Sequence, residues 1–363
     1  MADWSELPKE LLHLISKHLE SPLYLLRFRS VCSSWRSSSF PLPITLSNHP
    51  ISHTFSLSTR TLFLITPPND HSLPWLIKIA HQPRSTTRLY DPLSGFLLKR
   101  HRFLLDLYHL PVLHLAHEFS LADTCPNSLY MEKVVLSCLT PQNDRFVLLT
   151  IHISGKLALF KCGDSDWTII PDMPTPYDDV CVFERGLYAV DNTGRTVKVG
   201  LDSGLDLVAE PVFGGDKKYL VESEGELLLV DKYLSSNYFC SSGLFFEEYD
   251  EEDDGELCEF GWERTVRFGL FRLDQEGKRW VELKSLGERV LFLGDDCAFS
   301  ASARDLRVAR GNCVLFRDDA FGVDGVGSGI GVFCCDDGRI SPLSDCPGYS
   351  QLFWPPPDWV GLH

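Results

Sequence analysis

Four stretches of this sequence repeat one pattern, and the repeat limits the folds open to the chain more than any other feature. "KLALFKCGDSDWTIIP" (156–171), "TVKVGLDSGLDLVAEP" (196–211), "FGLFRLDQEGKRWVEL" (268–283) and "GIGVFCCDDGRISPL" (329–343) each read as an apolar strand, a turn holding Asp and Gly, and a second strand. Asp/Gly turns between apolar runs are a hairpin signal. A further strand precedes three of them, in "ERGLYAVDNTG" (184–194), "SEGELLLVDKY" (223–233) and "ARGNCVLFRDD" (309–319). From Lys156 to Thr196 the spacing is 40 residues, in the range of about 40 to 50 that a four-stranded propeller blade needs. Residues 44–360, less one acidic run, hold roughly six or seven such units. Radial stacking buries both faces of every small sheet, so repetition at this period without long helices favours a β-propeller over a sandwich. In the first third the repeat is blurred, although "TRLYDPLSG" (87–95) is again a strand, an Asp-Pro turn and Gly.

The first forty residues differ. Leu7, Leu11, Leu14, Ile15 and Leu19 recur at helical spacing, which predicts an inward stripe with Lys9, Glu10, Lys17 and Glu20 facing water. Pro8 is expected in the first turn, where a missing N–H costs nothing. Ser21-Pro22 offers a cap and a start for a second helix carrying Leu23, Leu25, Leu26 and Phe28, and Val31, Cys32 and Trp35 give a third short apolar face. About forty residues is the lower limit for a free-standing core, so the exposed apolar residues of such a segment need a partner.

These residues carry a resemblance. "LPKELLHLISKHLESPLYLLRFRSVCSSWR", with Leu7-Pro8, Val31-Cys32 and Trp35-Arg36 in this order and spacing, resembles the F-box. The resemblance implies docking onto the Skp-type adaptor of a cullin-RING ubiquitin ligase, through Leu7, Pro8, Leu11, Ile15, Leu19, Leu26, Val31 and Trp35, with Cys32 and Arg36 as lesser contacts. "TRLYDPLSG", the hairpins and the ending "IGVFCCDDGRISPLSDCPGYSQLFWPPPDWV" resemble the C-terminal domain of plant F-box proteins of the Skp-interacting-partner type. That likeness implies plant origin and a kelch-like propeller that recognises a target protein. The expected division is an F-box over 1–40, a linker over 41–50 and a propeller-like domain over 51–360, the helices and the propeller sharing no core.

Composition removes several alternatives. With 44% hydrophobic and 23% charged residues the chain is of ordinary globular make-up. A formal net charge of −16 repels a phosphate backbone, which argues against nucleic acid as a partner. The charge is uneven. Residues 1–130 carry 12 basic and 9 acidic side chains, and the remainder 22 and 41. Nine of the thirteen residues from Glu247 to Glu259 are acidic, a run expected to be a solvated insertion. Twelve cysteines without repeated spacing read as buried thiols in a reducing compartment. The N-terminus lacks the basic segment of a secretory signal, and Phe103 to Ala116 is too short and too polar to span a bilayer. Nucleus and cytoplasm both stay open, because "KRHR" (99–102) is too short a basic cluster to decide.

The search for chemistry yields no catalytic, cofactor or metal site. "HLPVLHLAHE" sets His109, His114, His117 and Glu118 close together, but Pro111 interrupts it and His-Glu-x-x-His spacing is absent. Histidines on the polar face of a strand or at a turn are expected. Cys334-Cys335 suit neither a metal nor an easy disulfide. "FGVDGVGSGIG" (321–331) matches no phosphate-binding loop. Asp191, Asp231, Asp318-Asp319 and Asp336-Asp337 recur with the repeat and are expected to bond turn backbone. The tail "FWPPPDWV" (353–360) is expected to close the propeller by packing Trp354 and Trp359 over the last blade. The expectation is therefore a mostly β chain with a short three-helix F-box, acting as a non-catalytic substrate receptor whose partners are the adaptor, through it cullin and RING subunits, and a target protein. Two rivals are adaptor docking for a purpose other than ubiquitin transfer, and a propeller enzyme or sugar-binding module with a helical cap. Three or more carboxylates or histidines converging at the central channel would favour the latter.

Overall fold

The structure, a computed structural model, describes residues 4, 7–19, 22–39, 49–50, 55–67, 72–81, 87–103, 110–123, 133–139, 145–237, 262–321 and 329–357. Three short helices open it: α1 (Lys9–Lys17), α2 (Pro22–Ser30) and α3 (Ser33–Ser38). The Pro8 carbonyl accepts the Leu12 N–H (3.1 Å), so Pro8 stands just before the first turn instead of within it.

Strands make up most of the rest. β1 (His49–Pro50), β2 (Phe55–Ile65), β3 (Trp75–His81), β4 (Thr87–Tyr90), β5 (Leu97–Phe103) and β6 (Val112–Asp123) form one group, ordered β6-β2-β3-β4-β5 with β1 beside β2. A second group is β7 (Val134–Cys138), β8 (Phe146–Ile151), β9 (Leu157–Lys161) and β10 (Thr168–Ile169), joined to the first, among the described residues, by the pair Phe119↔Val134. The third is β11 (Tyr177–Phe183), β12 (Gly186–Asp191), β13 (Thr196–Val199) and β14 (Leu205–Ala209). The fourth is β15 (Lys217–Ser223), β16 (Glu226–Asn237), β17 (Trp262–Asp274) and β18 (Arg279–Glu282). The fifth is β19 (Arg289–Leu293), β20 (Ala298–Ser302), β21 (Cys313–Arg317), β22 (Ile330–Cys334) and β23 (Ile340–Pro342), ordered β20-β19-β21-β22-β23. All four repeated hairpins are present, as β9/β10, β13/β14, β17/β18 and β22/β23.

Five apolar seams tie the groups into a ring. Leu57 and Phe119 meet Phe146, Leu148 and Phe160 between the first and second groups. Leu149 and Leu159 meet Val180 and Leu187 at the next seam, then Phe183 and Tyr188 meet Leu220, Leu229 and Trp280. Val221 and Phe268 meet Leu291 and Phe316, and Phe292 and Leu315 close the circle on Leu62, Leu64 and Leu76. β8 lies between two of these seams, with Leu148 in one and Leu149 in the other, which is why its FVLLTI is buried at all six positions and does not alternate.

The described strands sort into five groups where length and period suggest six or seven. Six or seven units follow only where every unit has four strands of ordinary length. The first group instead consumes residues 55–123 with two strands of 11 and 12 residues, and the fifth carries an extra strand in parallel with β21. Chain between Asn237 and Trp262 lies within one hairpin of the fourth group; the acidic run from Glu247 to Glu259 falls there, outside the described residues.

Two further expectations change. Leu23 of α2 shares a cluster with Phe63, Ile65, Trp75 and Val112, so the helices and the first group have a common core. The tail crosses the seam to the first group: Leu352 O accepts the Leu76 N–H (2.8 Å), and Trp354 lies 6.4 Å from Trp75 between ring centroids. Trp359 is outside the described residues.

Candidate functional site

Two places carry functional side chains. On α1, Leu12 and Ser16 are the residues turned inward; Leu11, Leu14 and Ile15 are 47%, 51% and 40% exposed. The apolar stripe read from the sequence thus does not face the chain's own interior, because the buried positions are offset by one from it. Val31 (56%) and Trp4 (65%) are exposed apolar side chains of the same segment, and the Trp4 carbonyl accepts from Trp35 Nε1 (3.1 Å). Pro8 and Arg36 are exposed; Leu7, Leu19, Cys32 and Trp35 are half-buried. Leu26 lies on α2, its side chain outside the described residues. Trp35 packs against the buried Phe28 at 4.5 Å between centroids with the rings tilted by 40°, which anchors α3 to α2. Leu14 and Trp4 join this surface although the F-box resemblance did not single them out; their helical spacing to Leu11 and their size were the available signal.

The second place is the centre of the ring. Here β7, β11, β15 and β20 begin side by side, and a cavity of about 600 Å³ opens among Lys133, Asp178, Asp179, Lys217, Tyr219, Asp295, Asp296 and Cys297. Lys133 Nζ bonds both Asp179 oxygens (2.8 and 3.1 Å), and Asp179 also accepts the Leu220 N–H (2.8 Å). Deeper, Glu118 of β6 is fully buried between Arg60 and Lys78, each at 2.5 Å. A buried carboxylate is tolerable only with such partners.

Burial sets the protonation of this centre. It raises the carboxyl groups of Asp178 and Asp296 above their usual range, with the Glu118 charge adding to the effect at Asp296. It pushes the Cys297 thiol up to about 12, with Glu118 again adding. Burial lowers Lys133, but the adjacent Asp179 outweighs it and the ammonium is held above its usual value. A nucleophilic thiol needs the opposite shift, so Cys297 is not activated. Among the described residues no group of three or more His, Cys, Asp or Glu side chains is placed to hold a metal ion.

The remaining candidates have structural roles. His114 and His117 lie on strand β6 beside a bulge that brings residues three apart onto one side, with rings 4.3 Å between centroids. Burial takes them down to about 4 and about 3, with His114 also lowering His117, so both are neutral. His109 lies outside the described residues. Asp191, Asp318 and Asp337 accept turn N–H groups as expected, for example Thr193 N to Asp191 at 2.9 Å. Asp231 does not: it is fully buried 2.7 Å from Lys218 Nζ in an ion pair within the β15/β16 ladder. Asp336 accepts from Asn312 Nδ2 (2.7 Å), and the side chain of Asp319 is outside the described residues. Of the Gly-rich stretch, residues 322–328 are outside them too. Cys181, Cys297 and Cys313 are buried, whereas Cys162 is exposed, against the expectation that all thiols lie inside.

Comparison with known proteins accords with both halves. Residues 4–43 match the F-box domain and residues 54–334 the KIB1-4 beta-propeller. Among curated relatives, "F-box protein SKIP23" of Arabidopsis thaliana is 44% identical over 100% of this chain and 97% of its own. "F-box protein At2g17036" of the same plant is 36% identical over 99% of this chain and 95% of its own. An exposed apolar side of α1, a closed ring of sheets and full-length likeness to these proteins lead to one statement: the chain belongs to the plant F-box proteins of the Skp-interacting-partner type, with an F-box followed by a KIB1-4-type β-propeller.

Proposed function

We propose that the chain is the substrate-recognition subunit of a Skp-cullin-F-box ubiquitin ligase, working in the nucleus, the cytoplasm or both. The observation that carries the reading is the apolar surface of Leu11, Leu14, Ile15 and Val31, which the chain's own fold leaves uncovered in the segment that matches the F-box. Large exposed apolar side chains gathered in one short segment of a folded protein mark an interaction surface. The adaptor covers it, with Leu7, Pro8, Leu19, Leu26 and Trp35 contributing, and brings cullin and RING subunits. The propeller holds the target. Catalysis is then proximity: a lysine held beside a ubiquitin-charged enzyme reacts at a high effective concentration, and the receptor needs no reactive group of its own.

The test is reconstitution with a Skp-type adaptor, cullin and RING subunit. The intact chain should co-elute with the adaptor, and a Leu11→Asp, Ile15→Asp variant should not while keeping the propeller's thermal transition. Co-elution of that variant would overturn the docking surface. Adaptor capture without cullin would favour a role outside ubiquitin transfer.

A second reading is favoured by the central cavity, where Asp178, Asp179, Asp295 and Asp296 converge. It makes the channel mouth a small-ligand or enzymatic site. Mass spectrometry of material released from the purified protein on denaturation tests it: a stoichiometric small molecule supports a ligand site, and its loss with Tyr219→Ala would place it in the cavity.

A further inference from the structure

We infer that Tyr24 and Arg27 are positioning residues: they stand in for a missing strand along the free edge of β6 and so hold the F-box in one orientation relative to the channel. β6 runs for 12 residues but pairs with β7 only at Phe119, so among the described residues its first half has no strand on that side. The polar groups of a strand point alternately to its two edges. Pro111 O turns to β2 and accepts the Thr66 N–H (2.9 Å). Leu110 O, Val112 O and His114 N–H turn the other way, and α2 takes all three. Arg27 Nη2 donates to Leu110 O at 2.6 Å. The Tyr24 hydroxyl donates to Val112 O at 3.1 Å and accepts from His114 N at 2.7 Å.

One hydroxyl that donates to residue 112 and accepts from residue 114 satisfies the two groups that a single residue of a neighbouring parallel strand would bond there. An uncovered edge of this kind is a template for pairing with other chains, and covering it with a helix is one way proteins avoid that. Leu23 sits beside the clamp in the cluster of Phe63, Ile65, Trp75 and Val112, which gives the polar contacts an apolar floor. Phe28, on the same helix, turns to Trp35 of α3. Helix α2 therefore has one face committed to the propeller and another to its own bundle, while Leu11, Leu14 and Ile15 of α1 stay outward. The consequence reaches beyond docking itself: the direction from the α1 surface to the channel mouth is built into the fold and not left to a tether.

The experiment measures that direction. Spin labels attached through bio-orthogonal residues at positions 9 and 284 report the distance between α1 and the fourth group in the full chain. The wild type should give one narrow distribution, and Tyr24→Phe with Arg27→Met should widen it by about twofold or more, because only local contacts are lost. A merely stabilising role would lower the thermal midpoint and leave the width unchanged, and that result would overturn the inference. Tyr24→Phe alone keeps the ring and should fold; its His114 amide should exchange about tenfold faster, with protection elsewhere in β6 retained. Unchanged exchange at His114 would equally overturn it. Adaptor capture by both variants should stay within about threefold of wild type, since both side chains turn to β6 and neither is among the proposed adaptor contacts. A chain that never captures the adaptor defeats the ligase reading and leaves the distance measurement standing.

Discussion

Lys133 Nζ lies 2.8 Å from Asp179 Oδ1, so the seam between the second and third sheet groups is pinned at the channel by an ion pair whose members are 13% and 4% exposed. Removing one member of such a pair leaves the other buried and uncompensated. Asp179→Asn should cost about 3 kcal/mol in urea unfolding. The pH dependence gives a sharper check. Burial depresses Lys133, but Asp179 outweighs it and the folded value lies above the unfolded one. A raised pKa contributes stability that is fully present below the unfolded value of about 10.4 and is lost as pH rises through the folded one. In Asp179→Asn burial, the largest cause, is opposed only by the lesser Cys181 and Cys297 charges, so the shift should reverse and stability should rise with pH as it approaches 10. Parallel curves for the two proteins would show that Lys133 does not depend on Asp179.

Neighbouring leucines on α1 should behave in opposite ways. Leu12 is fully buried, and Leu12→Ala should lower stability of the helical segment by about 2 to 4 kcal/mol through the cavity it leaves. Leu11 is half exposed, and Leu11→Asp should change stability by less than about 0.5 kcal/mol. Adaptor capture should reverse the ranking, with Leu11→Asp weakening it about thirtyfold if Leu11 is a central contact. Equal loss of capture in a still-folded Leu12→Ala protein would mean that helix integrity, not the outward surface, is what capture reads.

The contrast between Leu11 and Leu12 marks what the sequence could say. Periodicity reports that one side of a helix is apolar, but not whether the chain itself or a second protein covers it, and the two readings differ here by one position. The hairpins were legible because Asp and Gly set each turn locally, as where Asp202 accepts the Gly204 N–H and Asp274 the Gly277 N–H. The number of groups was not, since β6 returns to pair along β2 from beyond β5, a pairing fixed by tertiary packing. Asp231 looked like one more turn residue, and its partner Lys218 lies on a neighbouring strand where no local pattern points. The cavity gathers Lys133, Asp179, Tyr219 and Cys297 from four sheets, so no stretch of sequence contains it.

His114 and His117 should make the fold acid-sensitive. Burial holds them at about 4 and about 3, well below the unfolded value of 6.5. The unfolded chain therefore binds more protons below that value, and stability falls as pH drops from 6.5 toward the folded values. Between pH 7 and pH 5 the loss should be on the order of 2 kcal/mol for each histidine, about 4 kcal/mol for the two. His114→Gln with His117→Gln should flatten the slope in this window. A slope that persists unchanged in the double variant would assign it to the carboxylates instead.

Thiol chemistry tests the packing of the ring blade by blade. Burial pushes Cys313 up to about 11 and Cys297 and Cys335 up to about 12, and it takes Cys181 higher still. The thiolate is the reactive form, so at pH 8 these thiols hold almost none of it, and Cys181, Cys297 and Cys313 are sterically enclosed as well. Iodoacetamide on the native protein should modify the exposed Cys162 within minutes and leave those three unmodified until urea opens the fold. Cys297 is the informative member, because it lines the cavity beside Glu118. A Cys297 that reacts as fast as Cys162 would mean that the channel mouth lowers the thiol instead of raising it, and would move the weight of argument from a passive receptor toward a site with chemistry of its own.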